Sequence, residues 1–222
     1  MPDLSIGELE ALVLKAYRGA GFSWGMAQEA GRAAAWLAHN GLPAACYFDL
    51  LLHETDGIEA SQLTPSVIMS NAAPDWQMSA RPLCPVVCGS VISDLGSSLL
   101  EGSSEYLASG ALYSPGIVLA FVAGSARASG MSLQLNIDDH TIAVCGNGWL
   151  ESNDVEFLEV KQAEFSLSKS SRQTSAAPSE FRRAEISDVS FEYLGELAHR
   201  TYVPASEQSR QSGAGAGLTD ND

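Results

Sequence analysis

Residues 5–43, SIGELEALVLKAYRGAGFSWGMAQEAGRAAAWLAHNGLP, decide how the chain begins to fold. Ser5 stands three positions before Glu8, the pairing in which a hydroxyl and a carboxylate satisfy each other's free helix-start amides. Ile6, Leu9, Val13, Ala16, Tyr17 and Ala20 then recur at helical spacing until Gly19 and Gly21 stop the run. A second helix is expected from Ser23. Its inner face carries Ala27, Ala30, Ala34, Leu37 and Ala38 beside Gly31, side chains small enough for another helix to come close. Asn40-Gly41 supplies a left-handed exit. Pro43 opens a third helix over 44–53, apolar nearly all round and so expected to be buried, and Asp56-Gly57 ends it.

Beyond this helical opening the pattern weakens. Residues 58–81 carry Asn, Pro, Ser and Met around Trp76 and suggest a loop with one short helix. The apolar runs 86–91 and 117–122 suggest buried strands, with a helix through Ile92, Leu95 and Leu99 between them. Leu133, Leu135 and Ile137 alternate with polar residues, Asp138-Asp139 turns, and Ile142 and Val144 resume the alternation, which marks a hairpin. Ala163, Phe165 and Leu167 form the inner side of a half-exposed antiparallel strand. Residues 168–179 suggest a loop, and Ser187-Asp188 cap a last helix through Leu194, Leu197 and Ala198. The expectation is one α+β domain over 1–222: a helical cluster (1–57), a mostly antiparallel sheet region (82–168), and a C-terminal helix with a tail (187–222).

Composition limits the partners. The 222 residues are 45% apolar and only 18% charged, enough to bury roughly 70% of the extended surface. With 27 Asp and Glu against 12 Lys and Arg the net charge is −15, a field that repels phosphate backbones and anionic lipid. Nucleic-acid and membrane partners are therefore not expected. Cys46, Cys84, Cys88 and Cys145 are too few for a disulfide scaffold, and the start Met1-Pro2-Asp3-Leu4 has no secretory pattern. The expectation is a cytoplasmic chain with reduced thiols.

Candidate chemistry is sparse. Cys84 and Cys88 are separated by three residues, not the two of a redox pair or zinc knuckle, and suit a buried strand better. His39, His53, His140 and His199 form no ligand-spaced pair, and the set His53-Glu54-Thr55-Asp56 sits where a helix ends and a histidine is favoured by the dipole. His140 belongs to the solvent face of the hairpin. No serine elbow, Walker loop or dinucleotide fingerprint is present, and neither a metal nor a cofactor is expected. Ser23-Trp24-Gly25, at a helix start, marks a surface where a carboxylate can dock, although a capping serine with Trp24 packed on the first helix is the plainer account. The segment after the last helix gathers hydrogen-bonding groups in Arg200, Tyr202, Glu207, Ser209 and Arg210, followed by an alternating Gly-Ala run and terminal acids.

The stretches ELEALVLKAYRGAGFSWGMAQEAGRAAAWLAHNGLP (8–43) and RTYVPASEQSRQSGAGAGLTDND (200–222) together resemble a bacterial family known only as a domain of unknown function. The resemblance runs end to end and implies a bacterial cytoplasmic protein and no particular reaction. It also implies that the C-terminal ending is part of the family pattern, and so ordered or functional. The two Ala-rich helices and the following Gly-Leu-Pro also resemble the opening of the lactate/malate dehydrogenase family that lacks a Rossmann fold. That family places a Ser-His pair after the second helix, where this chain has Gly41-Leu42-Pro43-Ala44-Ala45, so its catalytic histidine is missing.

Two functions are compatible with these residues. One is a non-catalytic accessory or assembly subunit of a metabolic enzyme, docking through the C-terminal motif, so that deleting 202–222 abolishes partner binding. The other is an enzyme or binder for a small carboxylate, with Arg200 or Arg210 as the clamp and Glu207 or Tyr202 as acid or base. In either case the binding residues are expected to be Arg200, Tyr202, Glu207, Ser209, Arg210 and Trp24.

Overall fold

A computed structural model describes residues 2–69, 74–77, 81–102, 108–151, 156–170, 176–177 and 181–202. The first helix, α1 (Ile6–Gly19), starts at the expected capping box: Ser5 Oγ accepts from the Glu8 amide at 3.3 Å, and the Glu8 carboxylate accepts from the Ser5 amide at 2.8 Å. Its apolar series, Ile6, Leu9, Val13, Ala16 and Tyr17, is buried. Helix α2 (Trp24–His39) is capped by Ser23 and buries Ala27, Ala30, Gly31, Ala34, Leu37 and Ala38. A Cβ added at Gly31 would stand 3.0 Å from the Glu10 carbonyl of α1, so the two helices meet nearly backbone to backbone. The exit is left-handed at Gly41 (φ +72°), and the Leu42 amide returns to the Leu37 carbonyl at 3.0 Å.

Helix α3 (Ala44–Thr55) buries Tyr47, Phe48, Leu51 and Leu52, while Cys46, Asp49 and His53 lie on its outer side. Tyr17 unites the helical layer. Its ring stacks on Phe22 at 4.0 Å and meets Phe48 edge-on at 6.4 Å, and its fully buried hydroxyl pairs with Cys84 Sγ at 2.9 Å.

Two apolar runs expected as strands are helical. Residues 86–91 belong to α4 (Pro85–Gly102), and 117–122 fall in a short 3-10 turn (Pro115–Ile117) followed by α5 (Val118–Ser129). An apolar run of this length has no period that separates a buried strand from a buried helix. The helical cues are Pro85, at the first helical position, and Gly130, which ends α5 in the left-handed region (φ +68°). Helices α4 and α5 pack closely: a Cβ at Gly89 would fall 2.2 Å from the Phe121 ring. The proposed loop over 58–81 does contain a 3-10 turn (Ala60–Leu63), but it also holds an antiparallel pair, β2 (Ser66–Met69) with β3 (Pro74–Gln77).

The main sheet has four antiparallel strands: β4 (Ala108–Tyr113), β5 (Leu133–Ile137), β6 (His140–Val144) and β7 (Gln162–Lys169), in the order β4-β7-β5-β6. The expected alternation holds, with Leu133, Leu135, Ile137, Ile142, Val144, Ala163, Phe165 and Leu167 all buried. Asp138 takes the left-handed turn position (φ +47°) and accepts from the Glu164 amide at 3.0 Å, tying the hairpin tip to β7. A further pair, β1 (Asp3–Ser5) with β8 (Arg183–Glu185), joins the start of the chain to the segment before α6 (Asp188–His199) and is sealed by an ion pair between Arg183 and Asp3. The class is α+β, with the helices first as expected.

Helix α6 covers α1 at Gly19, where an added Cβ would stand 1.8 Å from the Leu197 carbonyl. Gly195, inside α6, has nothing within 4 Å of the same imagined atom. Two substitutions of equal size are therefore expected to differ in sign. Gly19→Ala should cost about 2 kcal/mol through forced separation of the helices, whereas Gly195→Ala should gain about 0.5–1 kcal/mol from helix propensity. Thermal unfolding of both variants checks this, with a shift of about 2–4 °C expected per kcal/mol.

Candidate functional site

A groove of about 610 Å³ runs between α2 and α5. It follows from the two-sided character of α2. Positions 27, 30, 34 and 37 face the core, so Glu29, Arg32, Trp36 and His39, at intervals of three or four, share the opposite side and line one wall. The other wall is α5, through Phe121, Gly124 and Arg127, and Trp149 also lines the groove.

The turn that brings Trp149 into place is tightly built. The Gly148 amide donates to the Cys145 carbonyl, the Cys145 amide to the Trp149 carbonyl (both 2.8 Å), and the Trp149 amide to Asn147 Oδ1 at 3.3 Å. Gly148 is left-handed (φ +83°), and a Cβ there would stand 2.9 Å from the Ala123 carbonyl and 3.0 Å from Arg127 Cβ. The turn thus rests on α5 and on the stem of Arg127. The rim is met by the chain itself at two points: Asn147 Nδ2 donates to the Ala176 carbonyl at 2.8 Å, and His39 Nδ1 lies 3.1 Å from the Phe181 carbonyl.

The charges in the groove differ in how firmly they are committed. Arg32 pairs with Glu29, one turn away on its own helix, at 2.8 Å. Such an exposed pair contributes only about 0.3–0.5 kcal/mol. Arg127, which is exposed and lines the groove, makes no hydrogen bond or ion pair among the described residues. Trp36 and Trp149 are half-buried. Indoles and guanidinium groups lining one groove suit the binding of carboxylates and planar groups.

The residues singled out from sequence lie elsewhere. Arg200 donates two hydrogen bonds to the Asp56 carboxylate, at 2.7 and 3.0 Å, so its fork is filled by the end of α3. The Tyr202 hydroxyl accepts from Lys15 at 3.3 Å, and its ring meets His199 edge-on. Trp24 is 58% exposed and takes the Arg18 guanidinium of α1 over its ring at 5.4 Å. Glu207, Ser209 and Arg210 lie outside the described residues. None of the three described positions lines the groove.

The remaining polar clusters are structural. His53 stacks on Tyr193 of α6 at 3.8 Å and Glu54 pairs with Lys161 at 2.7 Å, so with Asp56 and Arg200 the end of α3 clasps α6 and the start of β7. Cys84, immediately before α4, and Cys88, one turn into that helix, are buried at its start rather than on the strand expected, and burial pushes both thiols up. His140 is exposed on the hairpin, as expected, and stacks on Phe157 at 4.0 Å. Among the described residues no group of three or more His, Cys, Asp or Glu is placed to hold a metal ion, and no helix is long and apolar enough to cross a membrane.

The groove residues are those that sequence reasoning missed. The α2 half was legible, since Arg32, Trp36 and His39 recur on the side that the alanines leave free. The α5 half was hidden by the strand reading of 117–122, which puts Gly124 and Arg127 on no common face.

Residues 4–79 match the family model described as Protein of unknown function (DUF3726). That span takes in α1, α2 and α3, and with them the α2 wall of the groove; the ending 200–222 lies beyond it. No curated protein and no solved structure shows significant similarity to the chain.

Two chemical outcomes follow. Burial, with the Glu159 and Asp49 carboxylates nearby, pushes the Cys46 thiol up to about 11. Against an ordinary thiol near 8.5, its alkylation by iodoacetamide at pH 8 should be about 200-fold slower and should rise tenfold per pH unit; mass mapping of the modified chain reads this. Asp49 is raised mainly by burial, partly offset by His53, and its Oδ1 is buried 3.7 Å from His53 Nε2, too far for a hydrogen bond. The folded state therefore holds this proton more tightly than the unfolded chain. Stability falls as pH rises from the ordinary Asp range through the raised value, and the loss persists above it. Asp49→Asn should remove this slope, and melting curves should show it more stable than the parent at pH 8.

Proposed function

We propose that the protein is a non-catalytic accessory or assembly subunit, and that the α2–α5 groove is where it receives its partner. The observation that carries this reading is Arg127, held by the turn at Gly148, free of any ion pair among the described residues, and set between Trp36 and Trp149 in one open groove. Tryptophan and arginine are the residues that most often dominate binding energy at protein interfaces.

Further features support binding over catalysis. Glu29 is occupied by Arg32, and one ring nitrogen of His39 is engaged by the Phe181 carbonyl. Thiols raised by burial are poor nucleophiles at neutral pH, which describes Cys46, Cys84 and Cys88. The rival assignment, a carboxylate clamp at Arg200, is weakened because Asp56 fills that fork bidentately. The net charge of −15 disfavours nucleic acid and anionic lipid as partners. Four free cysteines fit a reducing bacterial cytoplasm.

Native mass spectrometry of the protein isolated gently from its source cells tests the reading. A stoichiometric second polypeptide is expected, retained on truncation after Tyr202 and lost from the pair Trp36→Ala with Arg127→Ala. A chain found alone or self-associated, carrying a small-molecule adduct, would replace it with a ligand-binding function. Loss of the partner on truncation alone would return the docking site to 203–222.

A further inference from the structure

Resting on that reading, we infer that the groove takes a short acidic segment of the partner polypeptide, with an Asp or Glu carboxylate seated on Arg127 and a flat ring or proline against Trp36 and Trp149. The argument is one of charge complementarity. The chain as a whole is strongly negative, yet this groove holds Arg127, which has no ion pair among the described residues, and Arg32, whose partner Glu29 is an exposed neighbour on its own helix and lines the same wall. A basic partner has no reason to select the groove, since acidic surface abounds elsewhere. An acidic segment is repelled by the rest of the surface and finds compensation here.

The geometry favours a carboxylate in particular. Only a glycine at 148 leaves room for the Arg127 stem, which an added Cβ would meet at 3.0 Å, and a guanidinium matches a carboxylate with two parallel hydrogen bonds. Arg32 is held only weakly by Glu29, so its guanidinium can be shared between Glu29 and an incoming acid. Trp36 and Trp149 offer apolar surface in the groove to whatever flanks the acid. The same field limits the occupant to a segment: a wholly acidic protein would meet repulsion along its remaining contact.

The chain's four tryptophans are Trp24, Trp36, Trp76 and Trp149, so a Trp24→Phe, Trp76→Phe background leaves emission from the groove alone. That full-length background is titrated with a blocked pentapeptide, acetyl-Phe-Glu-Pro-Asp-Phe-amide, with its Gln/Asn counterpart, with a Lys counterpart, and with benzoate. The acidic peptide is expected to change the emission and to bind at least tenfold more tightly than any of the other three. Arg127→Met should weaken it tenfold or more, Gly124→Leu should block it by filling open groove space, and Arg200→Met, outside the groove, should leave it unchanged, with circular dichroism confirming that each variant is folded. Equal binding of the neutral peptide, indifference to Arg127→Met, or benzoate binding as tightly as the peptide would overturn the inference. If the acidic peptide fails while Trp36→Ala with Arg127→Ala still strips the partner seen by mass spectrometry, this chemistry is wrong and the docking reading stands. If those substitutions leave the partner bound, both fall.

Discussion

Helix α1 is approached on two sides at backbone distance, and the rest of the helical layer is placed by those two approaches. Gly31 lets α2 settle against the Glu10 carbonyl, and Gly19 lets the Leu197 carbonyl of α6 sit where any side chain would stand. Between them lies Tyr17, wholly buried, whose hydroxyl must find a partner inside the protein because an unpaired buried donor costs about 1–3 kcal/mol. It finds Cys84, at the head of α4. One helix thereby sets the positions of α2, α4 and α6, and Gly89 on α4 in turn admits the Phe121 ring of α5.

The groove is a product of this arrangement. With α2 pressed to α1 through its alanines and α5 pressed to α4 through Gly89, the outer sides of α2 and α5 are left facing each other across a gap. The sheet contributes at one point only, the turn after β6 that carries Trp149 and leans on Arg127. The polar clusters at the far end of α3 serve a different purpose. His53 on Tyr193, Lys161 on Glu54 and Arg200 on Asp56 bind α3 to its neighbours, which explains why residues that look chemically promising in sequence are already engaged.

Much of the fold was legible because its signals are local. The Ser5–Glu8 box, the Asn40-Gly41 exit, the Asp138 turn and the period-two strands at 133–137 and 163–167 each depend on residues within a few positions of one another. The errors fall where a run is apolar almost all round. Residues 86–91 and 117–122 have no polar face, so nothing in their spacing records whether the backbone is helical. The same blindness removed half of the groove, since Gly124 and Arg127 share a face only once α5 is a helix. Pairings such as β1 with β8 join residues far apart in sequence and leave no local trace. Arg200 illustrates the converse limit: its chemistry was evident, but its commitment to Asp56 depends on two helices meeting.

The covering of α1 by α6 also has a history in time. On the ribosome α1, α2 and α3 emerge together, while the turn of α6 that seats its Leu197 carbonyl over Gly19 follows about 10–30 s later at ordinary elongation rates. Through that interval the nascent chain carries a helical layer with one side of its central helix bare. The β1–β8 pair cannot form earlier either, because β8 directly precedes α6. Among the described helices the one made latest is therefore the one that closes α1, and a nascent chain released short of it keeps that seam open to solvent and to chaperones.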